Sequence, residues 1–356
     1  MRPFSEPAYL QIPLPLQTAA CPRCPLRRDG RCEGVGTLES FIQKDESSIG
    51  CYDADRIRIH YDDVRRSRSG SPPPCHHDRL ELPSFIPVIK DGGPQDACLG
   101  GERLYAVSFS TLLRESGDLR FAAPGHLRKT LGLPHRARLA LICTVDDRRI
   151  ERFWKISEER EMWRRVADLD FEFVTSATFS VWNRSPRSDQ IISQEKNFVT
   201  HDDLCALGVP SVPFLFFYVG SELDYRQLLA HLRARPDVSK VAMLAQLRRA
   251  TVSFGKVIEY MRAIKRDVGR PLHFVVVGAA AASKVDRVFR EFPDSTIVTD
   301  QPFMKGNFGW QTLEDLSHVK NEAASRGQLV RDNIAQFQRY CEWRGNHLPH
   351  PSDQTD

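Results

Sequence analysis

The stretch His273–Asp300, HFVVVGAAAASKVDRVFREFPDSTIVTD, decides the fold. It opens on an apolar run, His273–Val277, rich in β-branched residues and without polar alternation. A run of that kind is the mark of a strand buried on both faces. Small residues follow from Gly278, then helical apolar spacing over Ser283–Phe292, then a second apolar run at Thr296–Thr299. Strand, helix and strand in this order imply parallel pairing through a right-handed crossover.

Working outward, the same unit recurs. Further apolar runs lie at Phe85–Ile89, Leu104–Phe109, Leu139–Thr144, Phe171–Thr175, Val212–Tyr218 and Val241–Ala245. Helical spacing covers Ile150–Leu169, Asp189–Leu207, Tyr225–Arg235 and Val252–Val268. Eight strands with alternating helices over roughly 250 residues fit a (β/α)8 barrel, with an open doubly wound sheet as the alternative. Thr312–Arg344 reads as two closing helices, with Phe337, Tyr340 and Trp343 as an apolar docking face.

Outside the barrel the pattern changes. Residues 1–82 read as a Pro-rich arm, a polar Cys-containing segment and the linker Ser67–Pro74. Residues 83–345 form the barrel, and 346–356 a frayed tail. The chain has 356 residues, 41% hydrophobic and 27% charged, with a net charge of +4. That charge permits an anionic partner without demanding one. No run approaches the roughly 20 apolar residues of a membrane span. The N-terminal MRPFSEPAYLQIPLPLQ, broken by prolines and a glutamate, is no secretion signal, so a cytoplasmic protein is expected. With nine cysteines, reduced thiols and metal ligation are expected ahead of a disulfide framework.

The sharpest local motif is Cys21-Pro22-Arg23-Cys24, followed by Cys32 and Cys51. Two thiolates two residues apart chelate one ion, and distal cysteines complete the set. Cys75, His76 and His77 are further candidates. Zinc fits four cysteines, or three with one histidine, and an iron–sulfur cluster fits four cysteines equally well.

In a parallel barrel, chemistry sits where strands end. Asp300 and Asp146 stand at two such ends and are the candidate nucleophile and proton-handling group. Capping of the following helix competes for Asp146. Candidate substrate contacts are Ser108, Trp182, Asn183, Tyr218, Gln246, Arg248, Gly278, Gln301, Lys305 and Asn307. Arginine pairs and aromatic residues near strand ends suit a phosphate-contacting rim, hence nucleic acid. His273 reads as a hydrogen-bonded core histidine.

The stretch His273–Trp310, ending TDQPFMKGNFGW, resembles the end of the barrel in the queuine/archaeosine tRNA-guanine transglycosylase superfamily, which includes DNA-modifying relatives. The resemblance implies a nucleophilic Asp at 300, a base-pocket turn at Gly278 and, more loosely, an acid–base role for Asp146. The family's C-terminal cysteine–histidine zinc cluster has no counterpart, since Cys341 stands alone there. The chain also resembles uncharacterised bacterial and phage barrel-like domains. Together these readings point to base exchange or base removal on nucleic acid. The alternatives are a non-catalytic, metal-stabilised protein that binds nucleic acid or a protein partner, and a barrel hydrolase or lyase for small molecules.

Overall fold

The computed structural model describes residues 20–33, 49–51, 53–66, 73–100, 103–181, 186–216, 221–245 and 251–347. Eight parallel strands form the centre: β1 (Phe85–Ile89), β2 (Leu104–Ser108), β3 (Arg138–Ile142), β4 (Phe173–Thr175), β5 (Ser211–Val212), β6 (Lys240–Leu244), β7 (His273–Val277) and β8 (Thr296–Thr299). First and last strands pair, Phe85 opposite Ile297 and Pro87 opposite Thr299. On the far side, a parallel bridge from Phe214 to Ala242 carries β5 across to β6. The sheet therefore curls into a (β/α)8 barrel, and the open-sheet alternative falls.

Period-two side-chain alternation sorts each strand into two layers. Ile86, Val88, Ala106, Ala140, Phe173, Phe214, Ala242 and Val298 fill the lumen with Leu80. Phe85, Val107, Leu141, Val174, Val241, Phe274 and Ile297 face the surrounding helices. Because both layers are apolar, the strands read as unbroken hydrophobic runs.

The helices follow in order. Two precede the barrel, α1 (Pro25–Arg28) and α2 (Ala54–Arg66). Then come α3 (Phe109–Leu112), α4 (Pro124–Thr130), α5 (Asp147–Ser157), α6 (Met162–Ala167), α7 (Arg187–Ala206), α8 (Glu222–Ala234), α9 (Thr251–Val268) and α10 (Ala282–Glu291). After β8 the chain forms α11 (Gln301–Asn307), the antiparallel hairpin β9 (Trp310–Thr312) and β10 (His318–Lys320), and α12 (Arg326–His347).

Three expectations are corrected. Ile150–Leu169 is two helices, because Glu161 turns left-handed (φ 47°) after a run of charged residues. The break lets Trp163 swing onto Phe109 and Phe153, with ring centroids 5.9 and 4.8 Å away. Thr312–Arg344 supplies one helix and the second strand of a hairpin. The Asn333 side chain on α12 accepts from the Thr312 amide (2.6 Å) and donates to the Trp310 carbonyl (2.7 Å), which fastens the hairpin down. Gly306 allows α11 to touch α12, since a Cβ there would stand 2.5 Å from the Val330 backbone. Phe337 and Tyr340 dock as expected, but Trp343 is half exposed and lies beneath the Arg344 guanidinium.

The barrel floor is closed by residues 73–82. His77 is fully buried, and its Nδ1 accepts from the Ser239 and Lys240 amides (both 3.1 Å). Its Nε2 donates to the Ser211 carbonyl at 2.6 Å, so the ring is neutral and joins β5 to β6. Burial lowers its pKa to about 4, against an opposing pull from the Ser211 bond. His273, bonded to Thr296 Oγ1 at 2.9 Å, is likewise lowered to about 4 by burial and is the core histidine expected.

The unfolded chain takes up the His77 proton near pH 6.5, which the folded form refuses until about pH 4. His77 thus supports the fold fully above pH 6.5, and that support is lost as pH falls through this window. Urea midpoints measured between pH 7.5 and 4.5 should fall less steeply in His77→Asn than in the wild type. The difference should be on the order of 3 kcal/mol.

Candidate functional site

The ends of β7 and β8 frame a pocket at the C-terminal mouth, where barrel enzymes hold their substrates. Strand β7 ends on Gly278, whose φ of 89° suits only glycine and leaves bare backbone facing the pocket. Strand β8 ends on Thr299 and Asp300. Asp300 occupies the N-cap position of α11 but makes no capping hydrogen bond. Its carboxylate instead meets Lys90 Nζ at 2.5 Å, from the residue that follows β1. Gln301, Lys305, Phe308 and Trp310 line the remainder. Gln301 Oε1 is buried and has no hydrogen-bond partner among the described residues. Lys305 and Lys320 both place their ammonium groups over the Trp310 ring, 5.2 and 5.3 Å from its centroid. The pocket therefore offers one carboxylate, cations, an aromatic wall and an amide.

Of the residues expected from sequence, the pocket gathers Asp300, Gly278, Gln301 and Lys305. Asn307 is not among its lining residues. Ser108 caps α3, accepting from the Ser110 amide (3.2 Å) and donating to the Thr144 carbonyl (2.9 Å). Asp146 caps α5, accepting from Arg149 N at 3.0 Å and Arg149 Nε at 2.5 Å. Partial burial pushes its pKa up, but the Arg149 bonds outweigh this and hold the carboxyl below its usual range. Asp146 is thus a cap and does not line the pocket. Trp182, Asn183, Tyr218, Gln246 and Arg248 lie outside the described residues. Sequence reading missed Phe308 and Trp310, which lie past the strand end, at the C-cap of α11 and the start of the hairpin.

The four expected metal ligands converge. Cys21 opens a 3-10 turn, Cys24 precedes α1, and Cys32 follows the left-handed Gly30. Cys51 is brought in by α7, whose Asp189 carboxylate accepts from the Ile49 (2.8 Å) and Gly50 (3.0 Å) amides. All four cysteines, with Leu26, Arg27, Ile57, Arg187 and Ser188, line one pocket at the N-terminus of α7. The segment is no loose arm. Ile57, Tyr61 and Val64 of α2 pack on Ile191, Ile192 and Val199 of α7. Their spacing along α2 was the signal available in sequence. Arg187 forms a buried, bidentate ion pair with Asp224 at the start of α8, 2.7 Å at Asp224 Oδ2.

A second Cys/His group lies at the opposite end of α7. Cys75, His201 and Cys205, all buried, are the group among the described residues whose three potential ligand atoms all lie within 4.8 Å of one another. This donor set suits a metal ion, but the structure joins Cys75 to Cys205 as a disulfide across 130 residues, against the expectation of reduced thiols. His77 is not a ligand here, both ring nitrogens being engaged by backbone. No described helix is long and apolar enough to cross a membrane.

No protein-family model matches the chain, and no curated protein does.

The Arg187–Asp224 pair is the buried charge pair on which the rim beside the cysteines rests. Asp224→Ala strands a buried guanidinium and should cost about 3–5 kcal/mol in urea unfolding. Glu222→Ala, which removes the exposed partner of Arg226, should cost no more than about 1 kcal/mol.

Proposed function

We propose that the chain is an enzyme that exchanges or removes a base in nucleic acid, with Asp300 as nucleophile. The observation that carries this reading is Asp300 itself: a strand-end carboxylate, unused as a cap, ion-paired to Lys90 in the mouth pocket. In the reaction, an Asp300 oxygen attacks the anomeric carbon of a nucleotide. The glycosidic bond breaks and its electron pair leaves with the base, which takes a proton. We assign that proton to Lys305, from the same pocket wall. A nitrogen of an incoming base, or water, then attacks the same anomeric carbon, the carbon–oxygen bond to Asp300 breaks and frees the carboxylate, and the incoming group's proton passes to Lys305. Lys90 orients the attacking carboxylate.

Other parts of the pocket support a base as ligand. Trp310 and the exposed Phe308 offer faces for stacking. The Gln301 side chain lines the pocket and can turn to bond a base edge, and the bare backbone at Gly278 leaves room for a flat ring. Lys320, over Trp310, suits an adjoining phosphate. The resemblance of His273–Trp310 to transglycosylases points the same way, and the reading places the protein in the cytoplasm.

Incubation with DNA or RNA oligonucleotides and a labelled 7-deazaguanine should place label in the polymer, through a denaturant-stable protein–nucleic acid adduct. Asp300→Asn should abolish the adduct and slow incorporation by about 1,000-fold or more. Trp310→Ala should mainly raise KM, by about 10-fold or more. Unchanged incorporation by Asp300→Asn, or salt-sensitive binding with no product under any condition, would sink the assignment and leave a binding protein.

A further inference from the structure

We propose that Cys75, His201 and Cys205 form a zinc site when the two cysteines are reduced, and that oxidation to the Cys75–Cys205 disulfide releases the ion. The disulfide does not account for the histidine. A link between two sulfurs needs no imidazole, yet His201 turns its Nε2 toward both, 3.9 Å from Cys75 Sγ and 3.8 Å from Cys205 Sγ. A tetrahedral zinc ion, with Zn–S of about 2.3 Å and Zn–N of about 2.0 Å, holds its nitrogen and sulfur ligands about 3.5 Å apart. The imidazole therefore already stands within a few tenths of an ångström of its place in such a site. Two thiolates and an imidazole are donors that zinc selects, and all three residues are buried.

Each donor is set in place by contacts other than the S–S bond. His201 and Cys205 are four positions apart on α7 and so share one face of it. The His201 ring is steadied at Nδ1, 3.0 Å from Ser211 Oγ on β5. A proton held there leaves the Nε2 lone pair for a metal, the usual support behind a ligating histidine. Cys75 is carried in by the residues that lead to β6: its amide donates to Asp237 Oδ2 (2.6 Å), and Arg235 donates to the Pro73 carbonyl (2.8 Å). The fourth corner of the tetrahedron falls to water or to His231 of α8, whose ring centroid lies 6.3 Å from that of His201. Helix α7 runs into β5, so this end of it lies at the barrel floor, and an ion here takes no part in chemistry at Asp300. Its work is structural: like the disulfide, it ties the floor segment to α7.

The exchange of one link for the other balances with a peroxide as oxidant. One thiolate attacks a peroxide oxygen, the O–O bond breaks and hydroxide leaves, giving a sulfenic acid. The second thiolate attacks that sulfur, the S–S bond forms and a second hydroxide leaves. Two protons turn the hydroxides into water, and two electrons have passed from sulfur to peroxide. Zinc departs unchanged in charge, because both of its thiolates are spent.

The full chain, reduced with a phosphine, loaded with zinc sulfate and freed of excess, should retain one more zinc per chain than Cys75→Ser or Cys205→Ser treated alike. Taking the difference removes any ion held by the N-terminal cysteines. Hydrogen peroxide should release that zinc and join the Cys75 and Cys205 peptides, as read by mass spectrometry. His201→Gln keeps both sulfurs, so it should still form the disulfide, but its affinity for the additional zinc should drop by about 100-fold or more. Cys98→Ser, at an exposed thiol, should match the wild type. Equal zinc in the wild type and both serine variants, or undiminished affinity in His201→Gln, would overturn the proposal, as would a disulfide that the phosphine cannot open in the folded protein. Asp300→Asn should hold its zinc in full, so loss of base exchange and loss of the metal are read independently.

Discussion

Everything at the mouth depends on ring closure by main-chain hydrogen bonds at two seams. One joins β1 to β8, and the other carries β5 to β6 through Phe214 and Ala242, with Leu215 N donating to Ala242 O at 2.9 Å. Once both seams are made, every strand points the same way, and loops far apart in sequence share one rim. Lys90 and Asp300 are 210 positions apart, yet they meet because their strands are neighbours across the first seam. The second seam is reinforced from below by His77, whose Nδ1 accepts from amides at the start of β6 and whose Nε2 donates to the Ser211 carbonyl at the start of β5.

Much of this was legible in the sequence because a barrel strand is covered twice. Lumen residues such as Val275 and helix-facing residues such as Val276 are both apolar, so β7 announces itself without alternation. Asp300 was legible for a related reason: it ends such a run with nothing ahead of it but a short, proline-headed helix. Asp146 shows the limit of that logic. Its position at a strand end is identical in kind, but α5 starts at once behind it and Arg149 claims the carboxylate. Strand ends are where barrels put both chemistry and caps, and the identity of the following helix decides between them.

What escaped the sequence reading depended on contacts at long range. The Trp310–Lys320 hairpin has strands of three residues each and is held chiefly by Asn333 from a later helix, a bond no local pattern encodes. In the sequence the N-terminal cysteines stand in a polar segment outside the barrel. The surface that completes it, the Ile191, Ile192 and Val199 stripe, belongs to α7 more than a hundred residues downstream. Helix α7 is therefore buried on nearly all sides, at one end beside four thiols and at the other beside the Cys75–Cys205 pair.

The packed lumen also governs traffic. Phe173 and Phe214 occupy the axis and Leu80 stoppers it from beneath, so the barrel is a solid pedestal rather than a tube. The mouth pocket consequently sits off-axis, over the β7 and β8 ends, with α11 as its side wall. Because the lumen beneath is filled, nothing reaches the pocket or leaves it through the barrel axis. An extended chain can lie across such a ledge and dip one residue into the recess, with no need to thread through the protein.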